Sequence, residues 1–332
     1  MHPTHPTALG RMAIGTWSGG RFLRLGEPLD DERFVSLIHP DRVINTVITA
    51  DVHGAGNADK LVGRAIANAR RGKTRVVGAV GLDFYGGERR GPEGFPRFTD
   101  PQLRGPRSYG SYLSMATELS LERCGIDRFD LLLLHNPDPI GYTSEVVWRA
   151  MAALRDTGLT RMIGVAPGPE PEFSSDALEC FARFGGLIDW TLIKLSPLEP
   201  MPGELYLDAA AAGGVQVISR ICGYGGLGID RVLPERETLA PIAERAGLTM
   251  LQLACQWNLA HEAVACVVPT LIQETGPGAR PVEQKRAELA ALPSQVRLSG
   301  ADLEAIAAVG DGARRAAGRQ APAGAPHHLA PA

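Results

Sequence analysis

The stretch "FDLLLLHNPDPIGYTSEVVWRAMAALRDTGLTRMIGVAP", residues 129–167, decides the architecture. It opens on the apolar run 129–137, which reads as a buried strand ending near His135. Downstream, Val147, Ala150, Met151 and Leu154 recur at i, i+3, i+4 and i+7, the stripe of an amphipathic helix that Gly158 closes as a C-cap. "TRMIGVAP" (160–167) is a second β-like run. Strand, helix and strand in succession form the crossover that two parallel neighbours require.

The alternation continues in both directions. Upstream lie "MAIGTW" (12–17), "VINTVITA" (43–50) and "RVVGAVGLD" (75–83). Downstream lie "DWTLIKLSP" (189–197), "VQVISRI" (215–221) and "ACVVPTL" (265–271). Eight strand–helix units in one series favour a closed (β/α)8 TIM barrel over an open doubly wound sheet. Composition shows no internal break, so residues 1–311 read as one barrel domain. The Ala/Pro/Gly-rich stretch 312–332 reads as a disordered tail. Two connections are unusually long, 83–110 after the third strand and 272–284 after the eighth.

Net charge is −3, which gives no reason to expect nucleic acid or an anionic membrane as partner. The five cysteines are scattered, odd in number and never in a C-x-x-C pair, as expected of reduced thiols in a cytoplasmic protein. No apolar run approaches the ~20 residues that span a bilayer. The expected partner is a small-molecule substrate; oligomeric state is not readable.

In a barrel of this kind, catalytic groups come from the carboxyl ends of the strands. That rule selects Trp17, Asp51, His53, Asp83, Tyr85, His135, Asp138, Pro167, Lys194, Glu199, Arg220 and Tyr224. His53 stands at the crest of a glycine-punctuated turn, "DVHGAG". An unperturbed imidazole there would move protons in either direction at neutral pH. His135 would be its partner or a carbonyl polariser. Asp51 and Asp138 read as orienting carboxylates or as turn and cap residues. Lys194 would suit a Schiff base if desolvated, or would face outward between helices. Arg220, with the 222–228 loop that carries Tyr224, would hold an anionic or polar group. A metal held by His53, His135 and an aspartate lacks any H-x-H or H-x-x-x-H spacing, and none is expected.

Four segments resemble one family. "GTW" (15–17), "NTVITADVHGAGNADKLVG" (45–63), "SLERCGIDRFDLLLLHNPD" (120–138) and "ALRDTGLTRMIGVAP" (153–167) are similar in order and spacing to the aldo-keto reductases. The resemblance runs over roughly residues 9–310 and implies the same barrel. Members of that family reduce carbonyls with NADPH through a tyrosine acid supported by aspartate and lysine, with a histidine orienting substrate. Matched on Asn45, Thr49, Ala50 and Gly54, the aspartate position holds Ile48 and the tyrosine position His53. No lysine occurs in 74–83, and His135 alone matches its counterpart.

The cofactor positions diverge in the same way. Ala166 and Pro167 match the Ser-Asn that holds the nicotinamide amide, and Leu192 matches the glutamine of strand 6. The stacking tyrosine falls near Arg220, and the adenine-contacting Glu-Asn near Ala287 and Glu288. "GAR" (278–280), with Arg280, resembles the phosphate-binding loop after an insertion. Amides left unpaired in a pocket cost ~1–3 kcal/mol each. The sequence therefore favours a barrel without cofactor, turned to redox-free acid–base chemistry: dehydration, isomerisation, cyclisation or lysis of a small carbonyl metabolite, as in a tailoring enzyme. His53 and His135 would be its catalytic pair, with Trp17, Asp51, Tyr85, Lys194, Arg220 and Tyr224 around the substrate. The alternatives are an NADPH-dependent carbonyl reductase with His53 as proton donor, or a non-catalytic partner or sensor protein.

Overall fold

The computed structural model describes residues 9–320 apart from 24, 68, 70–72, 92–93, 223–234 and 277, and only the backbone of 311–320. Eight strands form one sheet: β1 (Ala13–Gly15), β2 (Thr46–Ile48), β3 (Arg75–Val80), β4 (Leu131–His135), β5 (Ile163–Ala166), β6 (Trp190–Lys194), β7 (Gln216–Ile221) and β8 (Val264–Pro269). Every neighbouring pair is parallel and consecutive in the chain. A parallel bridge from Met12 to Val267 closes the ring, and the Val267 N–H donates to the Arg11 carbonyl at 3.0 Å. The barrel read from the sequence is the barrel observed.

The outer ring contains α1 (Asp31–Ile38), α2 (Asn57–Ile66), α3 (Tyr109–Cys124), α4 (Pro139–Thr143), α5 (Glu145–Asp156), α6 (Ser174–Phe184), α7 (Gly203–Gly213), α8 (Glu235–Ala246), α9 (Met250–Leu259), α10 (Val282–Ala290) and α11 (Gly300–Gln320). The stripe read in 145–158 is the buried face of α5, where Val147, Trp148, Met151 and Leu154 pack inward. Gly158, with φ of 83°, takes the left-handed turn that ends it. The last helix is continuous to Gln320, past residue 312 where composition places the start of a tail. Ala and Arg, both good helix formers, dominate that overlap. Residues 321–332 lie outside the described residues. No helix among them is long and apolar enough to cross a membrane.

Strand side chains alternate between two cores. Ile14, Val47, Leu132, Leu134, Val165 and Ile193 face the helices. Ala13, Ile48, Val77, Ala79, Leu131, Leu133, Ala166, Trp190, Leu192, Ile218, Cys266 and Val268 fill the interior. Gly164 belongs to the inner set, and a Cβ there would lie 2.2 Å from the Trp190 carbonyl oxygen. Only glycine lets β5 and β6 approach at this level. The inner parity, followed to the strand ends, determines which side chains reach the mouth.

Candidate active site

Trp17, His135, Lys194 and Arg220 continue the inner parity of β1, β4, β6 and β7, and two residues further on so do Ser196 and Thr270. Lys194 and Arg220 are partners in the β6–β7 register. The outward alternative for Lys194 is therefore corrected. Its ammonium, however, is partly exposed and pairs with Glu199 Oε2 at 3.0 Å. That is the opposite of the desolvated amine that Schiff-base chemistry needs.

His53 reaches the mouth through its turn. Gly54, Ala55 and Gly56 carry φ values of 59°, 50° and 87°, a left-handed run that reverses the chain before α2. A Cβ on Gly54 would lie 2.6 Å from the Phe22 ring. Glycine thus admits Phe22, which stacks on the His53 ring at 6.1 Å between centroids. His53 Nδ1 is 2.9 Å from the Thr16 hydroxyl, and its ring meets that of His135 edge-on at 6.0 Å. The two histidines do face each other.

Neither is an ordinary imidazole. Burial, the neighbouring His135 and the Arg220 guanidinium bring the His53 pKa down to about 3. Burial, Arg220 and Arg97 bring that of His135 down to about 4. Both are neutral at physiological pH, so the expected imidazole poised near neutrality is corrected: the site repels positive charge. Their resonances are expected to stay flat in an NMR titration from about pH 8 to about pH 5. An inflection near the ordinary histidine value would show that the pocket is wet. The linkage sign follows from the direction. The unfolded chain takes up protons at about pH 6.5, so the contribution of this pair to stability is full above that pH. It declines as pH falls toward the folded values.

Five buried polar atoms around the mouth have no hydrogen-bond partner among the described residues: Trp17 Nε1, His135 Nδ1, Ser196 Oγ, Arg220 Nε and Thr270 Oγ1. Each orphan costs ~1–3 kcal/mol unless a ligand or water meets it. The Arg220 guanidinium lies over the Trp17 ring, 4.9 Å from its centroid. Leu23, Phe84 and Phe95 pack onto the inner core and add apolar walls. The long 83–110 loop is folded down here: Leu82 bridges Arg97, and Asp83 accepts from the amides of Tyr85 and Gly86 and from Arg104. Arg97, beside His135, pairs with Glu170 and donates to the Asn136 carbonyl.

Asp51 and Tyr85 are not with the histidines. The Tyr85 hydroxyl donates to Asp51 Oδ2 at 3.4 Å and accepts from Arg123 at 3.0 Å. Arg123 is also 3.5 Å from Asp59, which takes hydrogen bonds from Thr49 and Ser120. Burial, reinforced by Asp59, pushes the Asp51 carboxyl well above the usual carboxylate range. This cluster sits between β2, the 83–110 loop and α3, and Tyr85 packs on the outer core. The assignment of both residues to the substrate is corrected accordingly, and among the described residues no aspartate joins the two histidines as a third ligand. Asp138 caps α4, accepting from the Gly141 amide and Thr99. Arg280 pairs with Glu288. Tyr224 lies outside the described residues.

Sequence reading missed Thr16, Ser196, Thr270 and the aromatic wall. For Ser196 and Thr270 the signal was available: each lies two residues beyond an inward strand end. Thr16 and Phe22 meet His53 only through folding.

The chain matches the sequence model of the Aldo/keto reductase family over residues 11–306. It is similar to the NADH-specific methylglyoxal reductase of Escherichia coli (strain K12), 26% identical over 331 residues covering 90% of this chain and 94% of that protein. The holo form of an aldo-keto reductase from Bacillus halodurans superposes with a TM-score of 0.65 at 22% identity, over 92% of this chain and 94% of that one. An aldo/keto reductase from Klebsiella pneumoniae in complex with NADP and acetate gives 0.62 at 20% identity, over 90% and 91%. Low identity sustained along a whole barrel marks divergence inside a shared architecture. With its eight-stranded closed barrel and a family match over nearly all of the described chain, the protein belongs to the aldo/keto reductase family as a divergent member.

Proposed function

We propose that the mouth reduces a small carbonyl compound with NADPH, and that His53 takes the place of the family's tyrosine as proton donor. The observation that carries this reading is the field of the site. Burial and the charge of Arg220 keep both histidines neutral. Burial disfavours either sign of charge, and it is the Arg220 charge that favours an oxygen gaining negative charge. The relatives named as reductases, and the NADP held by a structural neighbour, put hydride addition ahead of the redox-free reading.

The orphaned hydroxyls of Ser196 and Thr270 fit a hydrogen-bonding cofactor on the β6–β8 side, joined by the Gly278–Arg280 segment. Leu192 and Ala166 offer no side-chain partner to a carboxamide, so these donors differ from those the resemblance implies. When bound, NADPH supplies the hydride. The N–H groups of His53 and His135 then hold the carbonyl oxygen, and Arg220 stabilises the charge that develops on it. Thr16 at Nδ1 fixes the His53 ring and leaves Nε2 to face the oxygen. Full proton donation requires the Arg220 charge to be compensated, so that the His53 imidazolium becomes accessible.

One observation favours the redox-free alternative. Ile48 and Leu192 present hydrocarbon to the interior where the family places aspartate and glutamine. The same field would then stabilise an enolate. Calorimetric titration with NADPH, followed by transfer of deuterium from its C4 position to a panel of small aldehydes and ketones, decides between them. Micromolar binding with label transfer supports the reductase. No binding up to millimolar NADPH, with exchange of α-protons in heavy water, overturns it.

A further inference from the structure

We infer that Arg220 and the Trp17 indole form an anion clamp for the substrate itself, and that the substrate is a 2-oxo carboxylate. The inference rests on the reading of the mouth as a carbonyl site and names the chemical class that this site takes.

Three observations converge. First, the cations around the mouth are otherwise matched: Lys194 with Glu199, Arg97 with Glu170, Arg104 with Asp83 and Arg280 with Glu288. Arg220 has no carboxylate partner among the described residues. Second, Trp17 Nε1 and Arg220 Nε are obligate donors. Both are buried without an acceptor, and Trp17 is 6% exposed. A water molecule accepts from one such donor. Two neighbouring groups that only donate, one of them cationic, suit a ligand rich in acceptor oxygens. The guanidinium carbon lies 4.9 Å from the indole ring centroid, so the two side chains form one stacked unit that would present its donors to a planar carboxylate.

Third, the clamp lies beside the two histidines. Arg220 is close enough to depress both imidazoles, and their rings are 6.0 Å apart. Thr16, which bonds His53 at 2.9 Å, directly precedes Trp17, which stacks on Arg220, so an oxygen held by the histidines and a carboxylate held by Arg220 would occupy adjoining parts of the mouth. A carbonyl next to its carboxylate suits that arrangement. The remaining wall, Phe84, Phe95 and Leu23, would take an apolar substituent on the other side of the carbonyl. The carboxylate also supplies the compensation that proton donation needs. It offsets part of the Arg220 charge and lets the histidine pKa values rise.

A carboxylate and a cofactor phosphate present similar oxygens to a guanidinium, and the test separates them. Oxamate, an unreactive 2-oxo acid analogue, is titrated into the wild-type protein and the Arg220→Gln, Arg220→Lys and Trp17→Phe variants, each checked by circular dichroism. Acetamide serves as the neutral control. Inorganic pyrophosphate and NADPH are titrated in parallel. Oxamate is expected to bind the wild type about ten- to hundredfold more tightly than Arg220→Gln. Arg220→Lys should keep part of that affinity, because the charge remains without the fork. Trp17→Phe should lose part, since it keeps the ring and removes the donor. On oxamate binding, the NMR pKa of His135 should move upward in the wild type and stay put in Arg220→Gln, a response that a purely structural arginine would not give.

Equal oxamate affinity in wild type and Arg220→Gln overturns the clamp. So does a loss confined to pyrophosphate and NADPH, which would assign Arg220 to the cofactor and leave the reductase reading standing. Arg220-dependent oxamate binding without any NADPH binding keeps the clamp and removes the reductase reading.

Discussion

Lys285→Met is expected to cost about 3–5 kcal/mol of stability, the range for breaking a buried ion pair by removing one of its members. The Lys285 side chain is fully buried, and its ammonium donates to the Ile272 carbonyl at 2.8 Å and to Glu274 Oε2 at 2.9 Å. Glu274 is nearly as buried, at 5% side-chain exposure. The pair anchors the inserted segment between β8 and α10. That segment is stitched to the loop after β1: the Leu271 amide donates to Ser18 Oγ, the Gly19 amide to the Leu271 carbonyl and the Glu27 amide to the Gln273 carbonyl. Loss of the lysine removes that ion pair and loosens the corner where the segments carrying Ser18 and Leu271 run together. Thermal unfolding should show a fall of roughly 5–15 °C. The double variant Lys285→Met/Glu274→Leu should recover most of it, because an apolar pair has no desolvation debt. A single variant with an unchanged melting temperature would mean that the pair is solvated.

The contrast between Lys285 and the strands shows what a sequence can carry. Strand positions were legible because a parallel strand buried on both faces reads as an unbroken apolar run, as 131–134 does in β4. Helix α5 was legible through its period, and the mouth residues through the rule of strand ends. Lys285 was not. Nothing local distinguishes a lysine on α10 from a solvated one, and its burial depends on Glu274 in an insertion. The separation of Asp51 from His53 was equally invisible. Two residues apart in a tight turn, they point into different networks: Asp51 toward Tyr85 and Arg123, His53 toward Thr16, Phe22 and His135. The protonation state of the histidines was misread for the same reason. A pKa near neutrality belongs to an exposed imidazole, and only the fold reveals that Arg220 and burial surround these two. The resemblance implies that His53 stands at the position of the family's acid, whereas its depressed pKa comes first from burial and then from His135 and Arg220, none of which is readable around residue 53.

His53→Phe is expected to lower kcat for the proposed carbonyl reduction by about 10²–10⁴-fold, the usual range for a positioned acid or base. Phenylalanine preserves the stack on Phe22 and the edge contact with His135, so folding should survive while both the N–H and the Thr16 bond disappear. His135→Phe should act differently. It removes a group that holds the oxygen, so KM should rise along with a smaller fall in kcat. His53→Tyr is the more telling substitution. It restores the family's residue type without its surroundings: no lysine stands on β3 to lower the phenol pKa, and Ile48 fills the aspartate's place in the inner core. A phenol beside Arg220 gains some acidity, yet burial acts against its ionised form. Activity is therefore expected to stay at least about tenfold below wild type near pH 7, with an optimum moved to higher pH. Full activity in His53→Tyr would mean that Arg220 already does the work of the missing lysine. Full activity in His53→Phe would remove His53 from the reaction and leave proton delivery to His135 or to water held by Ser196 and Thr270.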